Sequence, residues 1–353
     1  MKTGPLKKKN IFMLNVVLLL FGLCFSSLAV AAAGADDDLM KKAKDVLGPL
    51  PASMPSEQNP ITPEKVKLGK ILFYESRISI DGVVSCAKCH LISLYAVDGL
   101  RKAIGNNCKE NPRNSPTIFN AASQISAHWI GNRTDVEDQA RQSLTGPPAF
   151  GMPSNESVEK VLKGMKEYVS LFKAAFPGEK DPVTVANLAK AIGAFERTLM
   201  TPAPFDAFVK GDPKALTEQQ KRGLKTFFET GCMTCHFSPY VGGQMYQKFG
   251  VFEPYWNYTK SEKIDEGRFA VTKNEADKYV FKVSVLRNVA ETPPYFHDGS
   301  VDKLGDAIRI MGKIQLLKDL SKEQVADITA FFASLTGQIP DDVMRVPLLP
   351  SRE

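Results

Sequence analysis

The stretch DGVVSCAKCH, residues 81–90, sets two thiols and an imidazole in its last five positions. Four chemistries use such a cluster: a disulfide corner, half of a zinc site, a thiol redox pair and a haem attachment point. A second copy, GCMTCH at residues 231–236, places His236 146 residues after His90. Two cysteines three apart on one helical turn can meet the two vinyl groups of a porphyrin as thioethers, and the histidine that follows at once reaches the iron from below. Zinc needs further ligands from elsewhere, and a thioredoxin-type pair needs alternating strands and helices around it. The repeat therefore reads as two covalent haems, one per domain. Cys86, Cys89 and His90 hold the first; Cys232, Cys235 and His236 hold the second.

The 353 residues suffice for two ordinary domains. Residues 1–35 read as an export signal: Lys2, Lys7, Lys8 and Lys9 precede an apolar run from Ile11 to Phe25, and small residues follow at Ala29, Ala31, Ala33 and Ala35. Cleavage near Ala33 or Ala35 and a periplasmic mature protein are expected, since the run is short for a membrane span. Removal of four lysines lowers the formal charge from +6 to +2, a balance that asks for neither nucleic acid nor an anionic membrane. It also removes Cys24 and leaves an odd set of thiols, with Cys108 outside the motifs, which is a poor disulfide framework.

Helical patterns cover Pro63 to Phe73, Ser157 to Phe176 with a break near Gly164, Val183 to Leu199, Thr217 to Thr230 and Ser321 to Leu335. Thr217 with Gln220, and Ser321 with Gln324, have the spacing of capping boxes. No alternating strand run stands out, so the fold is expected to be mainly α, with two cytochrome-c-like helical domains and at most a short hairpin around Tyr240 to Phe252. The expected organisation is a first haem domain over 36–205, a second over 206–338, and a tail, 339–353, packing back on the first.

Around these motifs the chain resembles the bacterial dihaem cytochrome c peroxidases. The resemblance runs from about Leu68 to Gly337, through RNSPTIFN (113–120), FGMPS (150–154), AIGAFERTL (191–199), KRGLKTFFETGCMTCH (221–236), VGGQMYQKFG (241–250), GRFAVTKNEADKYVFKVSVLRN (267–288), TPPYFHDGS (292–300) and IMGKIQL (310–316). It implies a high-potential relay haem in the second domain, with Met311 as the methionine ligand of its iron, and a peroxidatic haem in the first. It matches Trp129 to a tryptophan between the haems, Gln139 to a glutamine of the peroxide pocket, and His297 to a histidine near the relay haem that bonds a propionate or backbone. It also implies an interdomain calcium held by oxygens of Asn114, Thr292 and Pro294, hard donors that suit this ion. Hydrogen peroxide, a small cytochrome or cupredoxin donor and a homodimer complete the implied partners.

Two positions depart from the family. Its displaceable histidine sits in an Ile-Gly-His stretch, where AIGNNCKE (103–110) has Asn106; its distal glutamate precedes Met-Gly-Met-Pro, where PPAFGMP (147–153) has Ala149. Neither side chain shuttles a proton at neutral pH. His128 stands where the family has a phenylalanine of the same pocket and is the residue expected to restore an imidazole there. Cys108, Lys109 and Glu110 follow Asn106 closely and could reach that iron if the loop bends, the leading reading of Cys108 being a stray loop cysteine. Peroxide reduction is the leading expectation. A non-catalytic dihaem electron carrier or ligand sensor is the alternative, supported by the loss of both acid–base groups. A partner-modifying oxidase ranks third, because the methylamine-utilisation relative closes its second haem with tyrosine where Met311 is retained here.

Overall fold

In the computed structural model the described residues are Met1 and residues 36–351; the expected export signal lies outside them apart from Met1. The helices are α1 (36–46), α2 (Pro63–Phe73), α3 (Cys86–Cys89), α4 (Val136–Ser143), α5 (Asn155–Lys163), α6 (Lys166–Ala175) and α7 (Val185–Glu196) in the first part of the chain. They continue with α8 (Pro204–Val209), α9 (Glu218–Thr230), α10 (Trp256–Thr259), α11 (Phe269–Thr272), α12 (Leu304–Leu316), α13 (Lys322–Ser334) and α14 (Asp341–Met344). Local chemistry sets their ends. Thr62 caps α2 ahead of Pro63, and Thr217 and Ser321 close capping boxes with Gln220 and Gln324. Gly164 and Met165 separate α5 from α6.

Two apolar clusters organise these helices. One joins α2, α5, α6 and α7 through Leu68, Leu72, Leu162, Phe172, Leu188 and Ile192. The other joins α1, α8, α9 and α13 through Ala43, Phe205, Phe208, Leu224, Phe227, Ile328 and Phe331. Each cluster has a helix crossing built the same way. A Cβ on Gly69 of α2 would stand 1.9 Å from the Ala191 carbonyl oxygen of α7, and one on Gly223 of α9 would stand 1.9 Å from that of Asp327 of α13. Four residues on, Phe73 meets Phe195 at 5.5 Å and Phe227 meets Phe331 at 5.3 Å. In both cases the CxxCH turn follows the glycine-bearing helix, so close backbone contact at one end fixes the helix from which the motif departs.

The expected hairpin around Tyr240 to Phe252 does not form. Strand β1 (Tyr246–Lys248) pairs antiparallel with the distant β2 (Val280–Lys282), Gln247 opposite Phe281, so the strand partner comes from a later loop. The other antiparallel bridges outside these strands join residues six apart: Leu91 with Val97, Ile104 with Glu110, Ala127 with Arg133 and Tyr295 with Val301. These short closed loops carry the candidate functional side chains.

The C-terminal residues lie on the first cluster's side. Val343 packs with Phe73, Phe119 and Phe195, and Arg77 Nη2 donates to the Pro350 carbonyl at 2.9 Å. Arg77 also grips Glu75, which is fully buried and accepts a further bond of 2.7 Å from the Tyr168 hydroxyl. Burial alone would raise the Glu75 carboxyl, but the hydrogen bonds from Arg77 and Tyr168 outweigh it and hold the group below the usual glutamate value. Its folded pKa is depressed, so the stabilisation is complete above about pH 4.5 and is lost as pH falls through the lowered value. The gap in urea midpoint between the parent and Glu75→Gln is therefore expected to narrow below about pH 4; a constant gap would contradict this.

Candidate active site

The two CxxCH segments fold alike. In the first, Ser85 enters in extended conformation, α3 makes a single turn, and the His90 N–H donates to the Cys86 carbonyl at 3.0 Å. In the second, Gly231 ends α9 at φ 96°, a left-handed C-terminal cap, and the His236 N–H donates to the Cys232 carbonyl at 3.0 Å. All four thiols are free and half-buried. Burial pushes each of them up, Cys89 to about 11, the reverse of what a reactive redox thiolate requires. Among the described residues no three His, Cys, Asp or Glu side chains converge to hold a metal ion. Thiols on one face of a turn with a neutral imidazole beside them fit thioether attachment of haem.

Both imidazoles are prepared as ligands. Burial lowers their pKa, His236 to about 4, so they are neutral at pH 7. His90 Nδ1 lies at hydrogen-bond distance, 3.1 Å, from the Ala96 carbonyl oxygen, which directs Nε2 away from that bond. The His236 ring lies against the backbone of Gly242, at φ 130°, where a Cβ would come within 2.2 Å of the Ser284 carbonyl oxygen. Met311, half-buried on α12, belongs to a helix held beside the second motif. Leu316 of that helix would lie 3.9 Å from a Cβ on Gly231, and Gln315 bonds the Lys248 carbonyl at 3.0 Å. Met344 is 42% exposed, so it makes no buried ligand.

Asn106 is fully buried and occupied elsewhere. Its Nδ2 donates to the carbonyls of Pro147, at 2.6 Å, and Ala149, at 2.9 Å, and its backbone N–H also reaches Ala149 at 3.0 Å. The loop is tied to the start of the first motif by Asn107 N donating to Asp81 Oδ2 at 2.8 Å. Asn106 thus closes the 103–110 loop onto the 147–149 loop. Cys108 is free and exposed.

His128 stands in the Ala127–Arg133 loop, half-buried, at φ 65°. Its Nδ1 is 3.0 Å from Asn132 Oδ1. Burial lowers its pKa to about 4; the Asn132 bond opposes this, and Arg133, Lys282 and His90 add to it. Trp129 donates from Nε1 to the Asn114 carbonyl at 2.9 Å, and Ser115 Oγ donates to the Cys89 carbonyl at 3.0 Å, which places the His128–Trp129 corner next to the first motif. Gln139 is half-buried on α4 and its backbone N–H bonds the Asp135 carbonyl.

The loops from the two halves meet at Asn114. Its N–H donates to the His297 carbonyl at 2.8 Å and its Nδ2 to the Leu100 carbonyl at 2.8 Å. His297 is buried, stacked on Phe281 at 4.4 Å and edge-on to Trp129 at 6.4 Å. Among the described residues no backbone bond from its imidazole is seen; its Nε2 lies 4.0 Å from Asp265, which Arg113 holds by two bonds of 2.7 and 2.9 Å. Lys282 also joins the halves: its Nζ donates to the Ser126 carbonyl at 2.8 Å and its N–H to that of Trp129 at 2.7 Å. Sequence reasoning missed Asn132, Lys282 and the Arg113–Asp265 pair; only the i+4 placement of Asn132 after His128 was visible beforehand.

Two matched CxxCH turns in a mainly helical chain have the pattern of a dihaem cytochrome. A family model described as di-haem cytochrome c peroxidase matches residues 63–214. The chain is 42% identical to the cytochrome c551 peroxidase of Pseudomonas aeruginosa, over 95% of this chain and 96% of that one. It is 40% identical to the cytochrome c551 peroxidase of Nitrosomonas europaea, over 82% and 85%. A crystal structure of a MauG-like protein associated with microbial copper homeostasis superposes with a TM-score of 0.75 at 26% identity, over 84% of this chain and 97% of that one. The chain belongs to the di-haem cytochrome c peroxidase family, which implies haem c as its cofactor.

Proposed function

We propose that this protein is a periplasmic peroxidase that reduces hydrogen peroxide to water with electrons from a small cytochrome or cupredoxin. The net reaction takes up two protons and two electrons for each peroxide and releases two waters. Cys86, Cys89 and His90 hold the peroxidatic haem; Cys232, Cys235, His236 and Met311 hold the relay haem, with Trp129 between them. The haems supply the electron transfer and the oxygen-binding chemistry. The observation that carries this reading is the pair of CxxCH turns closed by the same 3.0 Å bond, each with free thiols and a neutral imidazole.

The protein's own residues handle the protons. With Nδ1 facing Asn132, His128 offers Nε2 to take a proton from the near oxygen of peroxide and return it to the leaving one, work that neither Asn106 nor Ala149 does. Gln139 supplies a neutral hydrogen bond in the same pocket. The Asn106 carboxamide, fastened to the 147–149 backbone, keeps that wall closed against water. A calcium ion at Asn114, Thr292 and Pro294 belongs to the proposal and would fix the two halves at their meeting point.

A second reading, a dihaem electron carrier or ligand sensor, draws support from the same locked Asn106, which cannot swing as a displaceable ligand would. Turnover decides between them. Purified dihaem protein with peroxide and a reduced small cytochrome is expected to consume peroxide well above free haem; no such turnover, with a first haem that never binds added cyanide, favours the carrier.

A further inference from the structure

The chain has four histidines, and three have evident places. His90 and His236 belong to the CxxCH turns, and His297 is enclosed by Phe281, Tyr255 and Trp129. His128 is left, on a loop tied to the first motif through Trp129, Asn114 and Ser115. Its surroundings repeat those of His90. In each, Nδ1 is held by one oxygen, Ala96 O at 3.1 Å for His90 and Asn132 Oδ1 at 3.0 Å for His128. A carboxamide oxygen only accepts, so Asn132 selects the tautomer with the proton on Nδ1 and leaves a lone pair on Nε2. An orienting acceptor behind one ring nitrogen is the usual support of an imidazole that binds metal through the other. The backbone points the same way: His128 sits at φ 65°, in the left-handed region that non-glycine residues avoid, and such conformations gather at functional positions. Burial keeps the ring neutral, with a smaller contribution from the Arg133 charge, and ligation also requires the neutral form.

We propose that His128 Nε2 is the sixth ligand of the first haem iron in the oxidised protein, with Asn132 as the positioning residue that fixes its tautomer. This rests on the reading that the first motif carries haem. The same lone pair cannot bind iron and take a proton at once, so peroxide turnover requires release of His128, and the closed state is the resting one.

The test is electron paramagnetic resonance and near-infrared magnetic circular dichroism of the fully oxidised holoprotein. The first haem is expected to be low-spin with two imidazole ligands. His128→Gly suits the left-handed backbone and removes only the imidazole; it should lose that low-spin signal and regain it with added imidazole, while the second haem stays unchanged. Asn132→Leu is expected to raise the high-spin fraction of the first haem, and Asn132→Asp to restore the low-spin state. A first haem unaltered in His128→Gly overturns the ligand assignment, and Asn132→Leu spectra identical to the parent overturn the positioning role. Neither readout involves peroxide, so two-imidazole spectra from a protein without turnover would retract the peroxidase reading and leave this proposal standing.

Discussion

His128→Phe is expected to lower the kcat for peroxide reduction by about 10² to 10⁴, the range a positioned acid–base group supplies. Phenylalanine keeps an aromatic ring of similar size in a half-buried loop, so the change isolates the imidazole from the packing. Asn106 is fastened to Pro147 and Ala149, and Lys282 is bound to the Ser126 carbonyl. Under the proposed ligation the same variant frees the iron of its closing ligand, so peroxide binding should not weaken, and the loss should fall on kcat rather than KM. An unchanged kcat would remove His128 from proton transfer.

The second large effect is on stability. Asp206 accepts four hydrogen bonds, from Leu50 N at 2.7 Å, Ala203 N at 2.7 Å and both terminal nitrogens of Arg287 at 2.7 and 2.9 Å. Arg287 is fully buried, and its Nε reaches the Pro239 carbonyl at 2.8 Å, three residues beyond His236. Asp206→Ala leaves that guanidinium buried without a counter-charge, at a cost of about 3–5 kcal/mol. Against a typical total of about 5–15 kcal/mol, this is a large fraction. Urea unfolding should show it, together with a disturbed second-haem spectrum, since the pair backs the loop after His236. The double variant Asp206→Leu/Arg287→Met removes both charges and should recover part of the loss. A change below about 1 kcal/mol in Asp206→Ala would contradict the expected cost of a buried, unpaired guanidinium.

Much of this was visible in local pattern. The span Pro63–Phe73 and the capping boxes at Thr217 and Ser321 are set by residues within one or two turns, and the structure reproduces them. The helix Leu304–Leu316 was not foreseen, because Gly305 and Gly312 interrupt its pattern and its apolar face is completed by packing on α13. Strand β1 was placed in a local hairpin because periodicity says nothing about a partner more than thirty residues away. The CxxCH turns were legible because their chemistry depends on adjacent residues. The fastening of Asn106 was not, since its acceptors are backbone carbonyls 41 and 43 residues distant. Asn132 was missed because its role follows from a loop conformation that brings its oxygen to His128.

The central claim is that each CxxCH turn anchors one haem c through thioether bonds. Intact mass spectrometry of the exported protein tests it most directly, after denaturation that strips any haem not covalently bound. The account predicts a mass raised by two haems, falling to one in Cys86→Ala/Cys89→Ala and likewise in Cys232→Ala/Cys235→Ala. A parent chain carrying no covalent haem, or a mass that either double substitution leaves unchanged, would contradict it.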